Sequence, residues 1–247
     1  MKTLITISSW VGAATNGDNQ AQRETFLRDV SKFPGLDYRF FVGDGTPTGK
    51  DESAMWSSFD DTDPIWWELP AYKAKALATV RPPQAYTPQP DEVLLAVPDD
   101  YAHLAYKVRA QHAWALSHGY DFVFQCGTDI YIDLHRLMAS GFAEHDYVGR
   151  RNGFHPAANG VYASGGGYIL SADAMNLVSD EPVKVWPEDM DIGRLMNYYG
   201  VALHHDSRYA VQYPSREFVS MHLGPTNPRA PVAYDSRLMY NVHRLFS

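Results

Sequence analysis

The opening of the chain sets its fold class. Leu4-Ile-Thr-Ile-Ser8 is short, apolar and β-branched, and reads as a buried first strand. Phe26, Leu27, Val30 and Phe33 then recur at helical spacing, and Pro34-Gly35 closes that segment. Tyr38 to Val42 is a second run of strand type, ended by Gly43-Asp44-Gly45. Strand, helix, strand in that order implies parallel pairing through a crossover, and hence an α/β fold. Met1-Lys2 and the small residues near Gly12 have some marks of a secretory leader. Thr6, Ser8 and Ser9 interrupt its apolar stretch, so the strand is the better reading.

The pattern resumes after an irregular excursion over residues 46 to 91. That stretch holds Trp56, Phe59, Trp66 and Trp67, which either pack as a satellite cluster or line a sugar site. Glu92 to Val97 reads as a strand. Asp99 or Asp100 then caps a long helix with Tyr101, Leu104, Ala105, Val108, His112, Ala115 and Leu116 on one side, and Gly119 stops it. Phe122-Val-Phe-Gln125 is a buried strand running straight into Cys126-Gly127-Thr128-Asp129. A helix to about Ser140 and a strand at Tyr147-Val-Gly149 follow. Gly165-Gly-Gly167 precedes a strand at Tyr168-Ile-Leu170, and Ser171 caps the next helix. Pro187 takes the first position of a further helix, with Ile192, Leu195, Met196 and Tyr199 facing inward and Gly200 ending it. The tail from Val201 is irregular. Without repeats or low-complexity linkers, the chain is read as one domain over 1–247, its halves meeting at about residue 135.

Charge and cysteine content narrow the partners. Lys+Arg number 21 against 29 Asp+Glu, a net −8. That disfavours a protein whose affinity comes from many phosphate contacts, although Arg150-Arg151 with Arg208, Arg216 and Arg229 could form a local basic groove. The lone Cys126 excludes an internal disulfide and a four-cysteine zinc site, and points to a reducing, cytoplasmic setting. No apolar run is long enough for a membrane span.

Ligands of open α/β sheets sit beyond the carboxyl ends of the strands, and Asp129 lies there. A carboxylate in that place either turns the chain or holds a divalent cation that bridges a diphosphate. Glu188-Asp189 opens a helix, where carboxylates are favoured by unpaired N–H groups, so a base there is expected to have a lowered pKa. His204-His205-Asp206 suits a solvated loop better than a metal. His222, between apolar neighbours, is either a core histidine or a ligand. No phosphate loop ending in Lys-Ser/Thr occurs, and Gly165 to Gly167 lack dinucleotide-binding spacing.

The order of these pieces carries a resemblance. Phe122-Val-Phe-Gln-Cys-Gly-Thr-Asp129 resembles the strand and acidic metal motif of the β1,3-glycosyltransferases related to fringe and core-1 galactosyltransferases. Gln22-Arg23-Glu-Thr25-Phe26, Phe40-Phe-Val-Gly43, the segment Asp99 to Lys107, Tyr162 to Ser171 and Glu188-Asp189-Met-Asp-Ile-Gly193 are similar to further elements of that family, in its order. Gly200-Val, Asp206-Ser-Arg208 and Arg216-Glu-Phe218 resemble its core-1 branch. Together they span roughly residues 20 to 225.

The resemblance implies a glycosyltransferase A fold: a central mixed, mostly parallel sheet flanked by helices, with a nucleotide-sugar half merged into an acceptor half. It implies a UDP-sugar donor, Mn²⁺ or Mg²⁺, and inversion at the anomeric carbon. By position, Asp129 and His222 would hold the metal, Asp189, with Glu188 beside it, would be the catalytic base, and Arg23, Lys107, Thr128, Gly165, Gly166 and Gly167 would contact the donor. The acceptor is expected to be a glycan or, second, a hydroxylated base in viral DNA. The family has three consecutive acidic residues where this chain has Gly127-Thr128-Asp129, which leaves a non-catalytic nucleotide-sugar or glycan-binding module as the alternative. A hydrolase using Asp129, Asp189 and His222 on another fold is a third reading.

Overall fold

A computed structural model describes residues 1–43, 86–97, 99, 103–184, 187–224 and 234–246. The four tryptophan and phenylalanine positions of the excursion, and Arg229, lie outside the described residues. The elements, in chain order, are β1 (Thr3–Ser8), α1 (Val11–Asn16), α2 (Asp18–Glu24), a 3₁₀ turn (Phe26–Lys32), β2 (Leu36–Val42) and β3 (Glu92–Leu94). Then come α3 (Leu104–Ser117), β4 (Phe122–Gly127), β5 (Ile130–Ile132), α4 (Leu134–Met138), β6 (Tyr147–Arg151) and β7 (Ala163–Ser171). The chain continues through α5 (Ala172–Ser179), α6 (Glu188–Tyr199), β8 (His204–His205), β9 (Val211–Gln212), β10 (Ser220–His222) and α7 (Arg237–Phe246).

The main sheet runs in the order β3-β2-β1-β4-β7-β6-β8, and β5-β10-β9 form a second, small sheet. Strands β1, β2, β3 and β4 are mutually parallel, while β7 runs antiparallel to both β4 and β6. The expected mixed, mostly parallel α/β sheet is therefore what forms. Strand periodicity splits its side chains into two cores. Ile5, Ile7, Phe40, Phe124 and Ile169 face the 3₁₀ turn, α4 and α7. Leu4, Phe41, Val123, Tyr168 and Leu170 face α3, α5 and α6. Helices thus cover both faces, which is why the central strands are mostly apolar, with the buried Thr6 hydroxyl paired to Gln125 Oε1.

Several local expectations are corrected. The helix expected from Phe26 onward starts at Asp18 as α2 and breaks at Thr25 (φ −108°, ψ −116°), the apolar residues continuing as the 3₁₀ turn. The Thr25 hydroxyl donates to the Ala21 carbonyl at 2.6 Å, the back-bonding that disfavours continuing a helix. Asp99 does not cap α3, whose N-cap is His103 without a side-chain cap bond. Its carboxylate accepts instead from the N–H groups of Val11 (2.6 Å) and Gly43 (2.9 Å), and from Lys107 Nζ (2.5 Å). Gly165 to Gly167 lie inside β7 rather than before it. Pro187 is the N-cap of α6, one place earlier than expected. The tail is not irregular: it supplies β8, β9, β10 and the amphipathic α7. Ser171 does cap α5, its hydroxyl accepting from the Ala174 N–H at 3.1 Å. No described helix is long and apolar enough to cross a membrane.

Candidate active site

The site forms where β4 leaves the sheet. After Gly127 the chain turns at Thr128-Asp129 and returns as β5, which pairs antiparallel with β10 so that Ile130 faces His222. That register brings two residues distant in sequence together: His222 Nε2 lies 3.0 Å from Asp129 Oδ2. Burial disfavours a charged His222, but the hydrogen bond and negative charge of Asp129 outweigh it and raise the imidazole pKa. A Cβ at Gly224 would stand 2.3 Å from Asp129 Oδ2, so a side chain there would displace the Asp129 carboxylate. Thr128 is half-buried beside this pair.

A nitrogen and a carboxylate oxygen this close suit two neighbouring ligands of one small divalent cation. Among the described residues no group of three or more His, Cys, Asp or Glu could hold a metal ion. A cation at this pair would complete its shell from water or phosphate oxygens, as Mg²⁺ and Mn²⁺ commonly do.

Glu188 and Asp189 start α6 and are both buried, at 7% and 8% exposure. Asp189 is fixed by two backbone donors, the N–H of Gly165 to Oδ2 at 2.9 Å and the N–H of Met190 to Oδ1 at 2.8 Å. The expected lowering of pKa does not occur. Burial raises both carboxyls, and Glu188 is raised further by the negative charge of Asp189. Hydrogen bonding from Gly165 and Met190 opposes the rise for Asp189, so it ionises first of the two.

The glycines of β7 adjoin both groups. A Cβ at Gly165 would stand 3.3 Å from Asp189 Oδ2, and one at Gly166 would stand 3.7 Å from the His222 Cβ. Asp189 and the His222 Cβ thus adjoin consecutive residues of the strand, whose side-chain directions alternate between its two faces. Gly166 also leaves room for Ala210, which sits at φ 47° with its N–H on Ser220 Oγ. On α6, Gly193 lies against Tyr162, where a side chain would overlap the tyrosine Cβ. A helical Gly→Ala change ordinarily stabilises; Gly193→Ala is instead expected to cost about 1–3 kcal/mol by overpacking, measurable by urea unfolding.

Arg23 and Lys107, expected at the donor, are each engaged by carboxylates of the chain. Arg23 makes a bidentate pair with Asp91 (2.8 Å to each oxygen) and reaches Glu92 Oε1 at 2.6 Å. Lys107 Nζ is buried between Asp99 and the Ser9 carbonyl (2.7 Å). Gln22, beside Arg23, is the residue of α2 that reaches the Asp129 loop, donating to the carbonyls of Ile130 (2.9 Å) and Gly127 (3.2 Å). Two more residues near Asp129 escaped the sequence reading. Burial raises the Asp18 carboxyl, a hydrogen bond from Asn16 opposes this, and the charges of Asp129 and Asp235 add to the rise. The Tyr234 hydroxyl, in the field of Asp129, is buried with no hydrogen-bond partner among the described residues. About 100° of rotation about the helix axis separates Gln22 from Arg23 in direction, which composition alone does not reveal.

His204 stacks on His145 (centroids 3.6 Å apart) and His205 Nδ1 accepts from the Arg151 N–H. Arg208 is paired with Asp206, and Arg136 rather than Arg216 carries the side-chain contact at their meeting point, bonding the Arg216 carbonyl.

No family model matches the sequence. Among solved structures, the galactosyltransferase LgtC in complex with donor and acceptor sugar analogues superposes with a TM-score of 0.47 at 12% identity, over 99% of this chain and 96% of that one. The glycosyltransferase GlyE of Streptococcus pneumoniae TIGR4 gives 0.47 at 11% identity, over 98% of this chain and 60% of that chain. A glycosyltransferase involved in glycosylation of the major capsid of PBCV-1 gives 0.46 at 8% identity, over 99% and 100%. Superpositions this loose say nothing of substrate or mechanism, which rest on the residues above.

Proposed function

We propose that the chain is an inverting glycosyltransferase of the A-type fold, moving a sugar from a UDP-sugar to an acceptor hydroxyl, as the resemblance to the fringe and core-1 relatives implies. The observation that supports this is a buried, backbone-oriented carboxylate at Asp189 together with the close Asp129–His222 pair beyond the end of β4. A single displacement needs those two functions on opposite flanks of the anomeric carbon. The acceptor oxygen forms the new bond to that carbon while the bond to the diphosphate oxygen breaks. Asp189, ionised and oriented by Gly165 and Met190, takes the acceptor proton. Asp129 and His222 would hold Mn²⁺ or Mg²⁺, which supplies positive charge to the departing diphosphate. Thr128, Gly165, Gly166 and Gly167 line the donor side, and a glycan is the first acceptor class.

The test is UDP release from a panel of UDP-sugars with Mn²⁺ or EDTA, comparing wild type with Asp129→Ala and Asp189→Ala. Release by wild type is expected to fall about 10²-fold or more in EDTA and in both variants. Because the described residues hold only two candidate ligands, a binding module is the second reading. A thermal shift with UDP and Mn²⁺ but no release would support that module. Neither release nor shift overturns both.

A further inference from the structure

We infer that the cleft between the 3₁₀ turn, the start of α4 and the end of α7 is a second binding site, and that it takes a neutral polyhydroxylated ring such as a hexopyranoside. Its cavity of about 370 Å³ falls in the range of small-molecule sites, roughly 300–1,000 Å³. None of the residues assigned to transfer lines it. The inference therefore stands or falls on binding alone, apart from the transferase reading.

The walls bring aromatic and polar groups together. Phe33 and Phe246 are half-buried and held edge-on by neighbours, Phe33 by His135 (centroids 4.8 Å apart, 72°) and Phe246 by Phe218 (5.0 Å, 82°). Tyr131 and His243 are buried in the same wall, at 4% and 9% exposure, with the phenol 2.9 Å from Nδ1. The phenol has no other acceptor among the described residues, so its proton goes to Nδ1 and the ring's own proton sits on Nε2. That Nε2 is buried and has no hydrogen-bond partner among the described residues. Burial and the nearby Arg28 lower the imidazole pKa, which keeps Nε2–H a neutral donor.

The charged groups of the cleft are already matched. Asp29 holds Lys32 at 2.8 Å and Arg28 at 3.9 Å, and Asp133 holds Arg136 at 3.2 Å. An anion would have to strip a cation from its carboxylate, and a cation the reverse. A wholly apolar ligand would displace water from Asp29, Asp133 and His243 and give them nothing in exchange. A sugar ring meets each requirement. Its C–H face packs on an aromatic ring, and its hydroxyls donate to carboxylate lone pairs that the ion pairs leave free. One hydroxyl oxygen accepts from His243 Nε2.

The test uses the full chain labelled with ¹⁵N and follows its backbone amides during titration. The ligands are methyl glucopyranosides, methyl galactopyranosides and methyl N-acetylglucosaminides, with benzoate, cyclohexanol and UDP as controls. At least one glycoside is expected to shift the amides of residues 28–33, 131–135 and 243–246, with a Kd of about 1–10 mM for a ligand of so few atoms. His243→Ala should weaken that Kd by about tenfold, the scale of one hydrogen bond, with the rest of the spectrum in place. His243→Gln keeps a side-chain N–H and should lose less than about threefold, and it serves if the alanine variant does not fold. The inference is overturned if no glycoside shifts those amides, if any control binds there as tightly, or if the shifts are confined to residues 163–167 and 189. An unchanged Kd in His243→Ala overturns it too. Each outcome leaves the transferase reading where the UDP-release assay puts it.

Discussion

Asp189→Asn is expected to lower kcat by about 10²–10⁴-fold, the range of a lost general base, while raising the melting temperature by about 2–4 °C. The two effects share one cause. The carboxyl is buried at the start of α6 and burial raises its pKa, which Gly165 and Met190 offset only in part. A carboxyl raised in the folded state leaves the fold binding more protons than the unfolded chain, so stability falls as pH rises. The penalty is absent below the unfolded value, near pH 4, and complete above the raised folded value. Asparagine removes the charge and keeps an acceptor for the Gly165 N–H but not for the Met190 N–H, which holds the gain to a few degrees. Melting curves at pH 4 and pH 7.5 check this, since the gain should appear only at the higher pH. The wild-type rate should fall on acidification at a pH above the ordinary carboxylate range. A variant that loses stability equally at both pH values would show that the charged form is what the fold prefers.

That sign was not legible in the sequence. Glu188-Asp189 at a helix start points to lowered pKa values, because only the N–H groups of the same helix are visible there. The desolvation comes from long-range packing of α6 against β7 and the buried tyrosines, which no spacing announces. The sheet was easier, because buried central strands write themselves as short apolar runs such as Phe122-Val-Phe-Gln125. Asp129 was visible from its place after such a strand. Its partnership with His222 depends on the pairing of β10 with β5, a contact between distant segments. The missed helix α7 did leave a signal: Met239, Val242 and Phe246 recur at helical spacing, and the first two are fully buried. Arg23 shows what motif spacing leaves out, the direction a side chain takes. Its neighbour Gln22 faces the Asp129 loop, while Arg23 turns toward Asp91 and Glu92.

Lys107→Met is expected to destabilise the protein by about 3–5 kcal/mol, the cost of stranding a buried charge. Lys107 and Asp99 are 4% and 3% exposed at the side chain and 2.5 Å apart. Around them the ends of three segments meet. Asp99 binds the backbone of Val11 and Gly43, just beyond β1 and β2, and Lys107 binds the Ser9 carbonyl from α3. Methionine fills a similar volume but removes the cation and leaves that carbonyl and Asp99 without it. For a chain of this size the loss corresponds to about 10 °C in melting temperature. Lys107→Met with Asp99→Asn should recover part of it, since the uncompensated charge is gone. A donor contact would show differently: KM for the UDP-sugar would rise several-fold in folded enzyme with little change in melting temperature. Holding the carboxyl edge of the sheet is therefore the role expected of Lys107, and the edge it holds is the one beside which Asp129 turns.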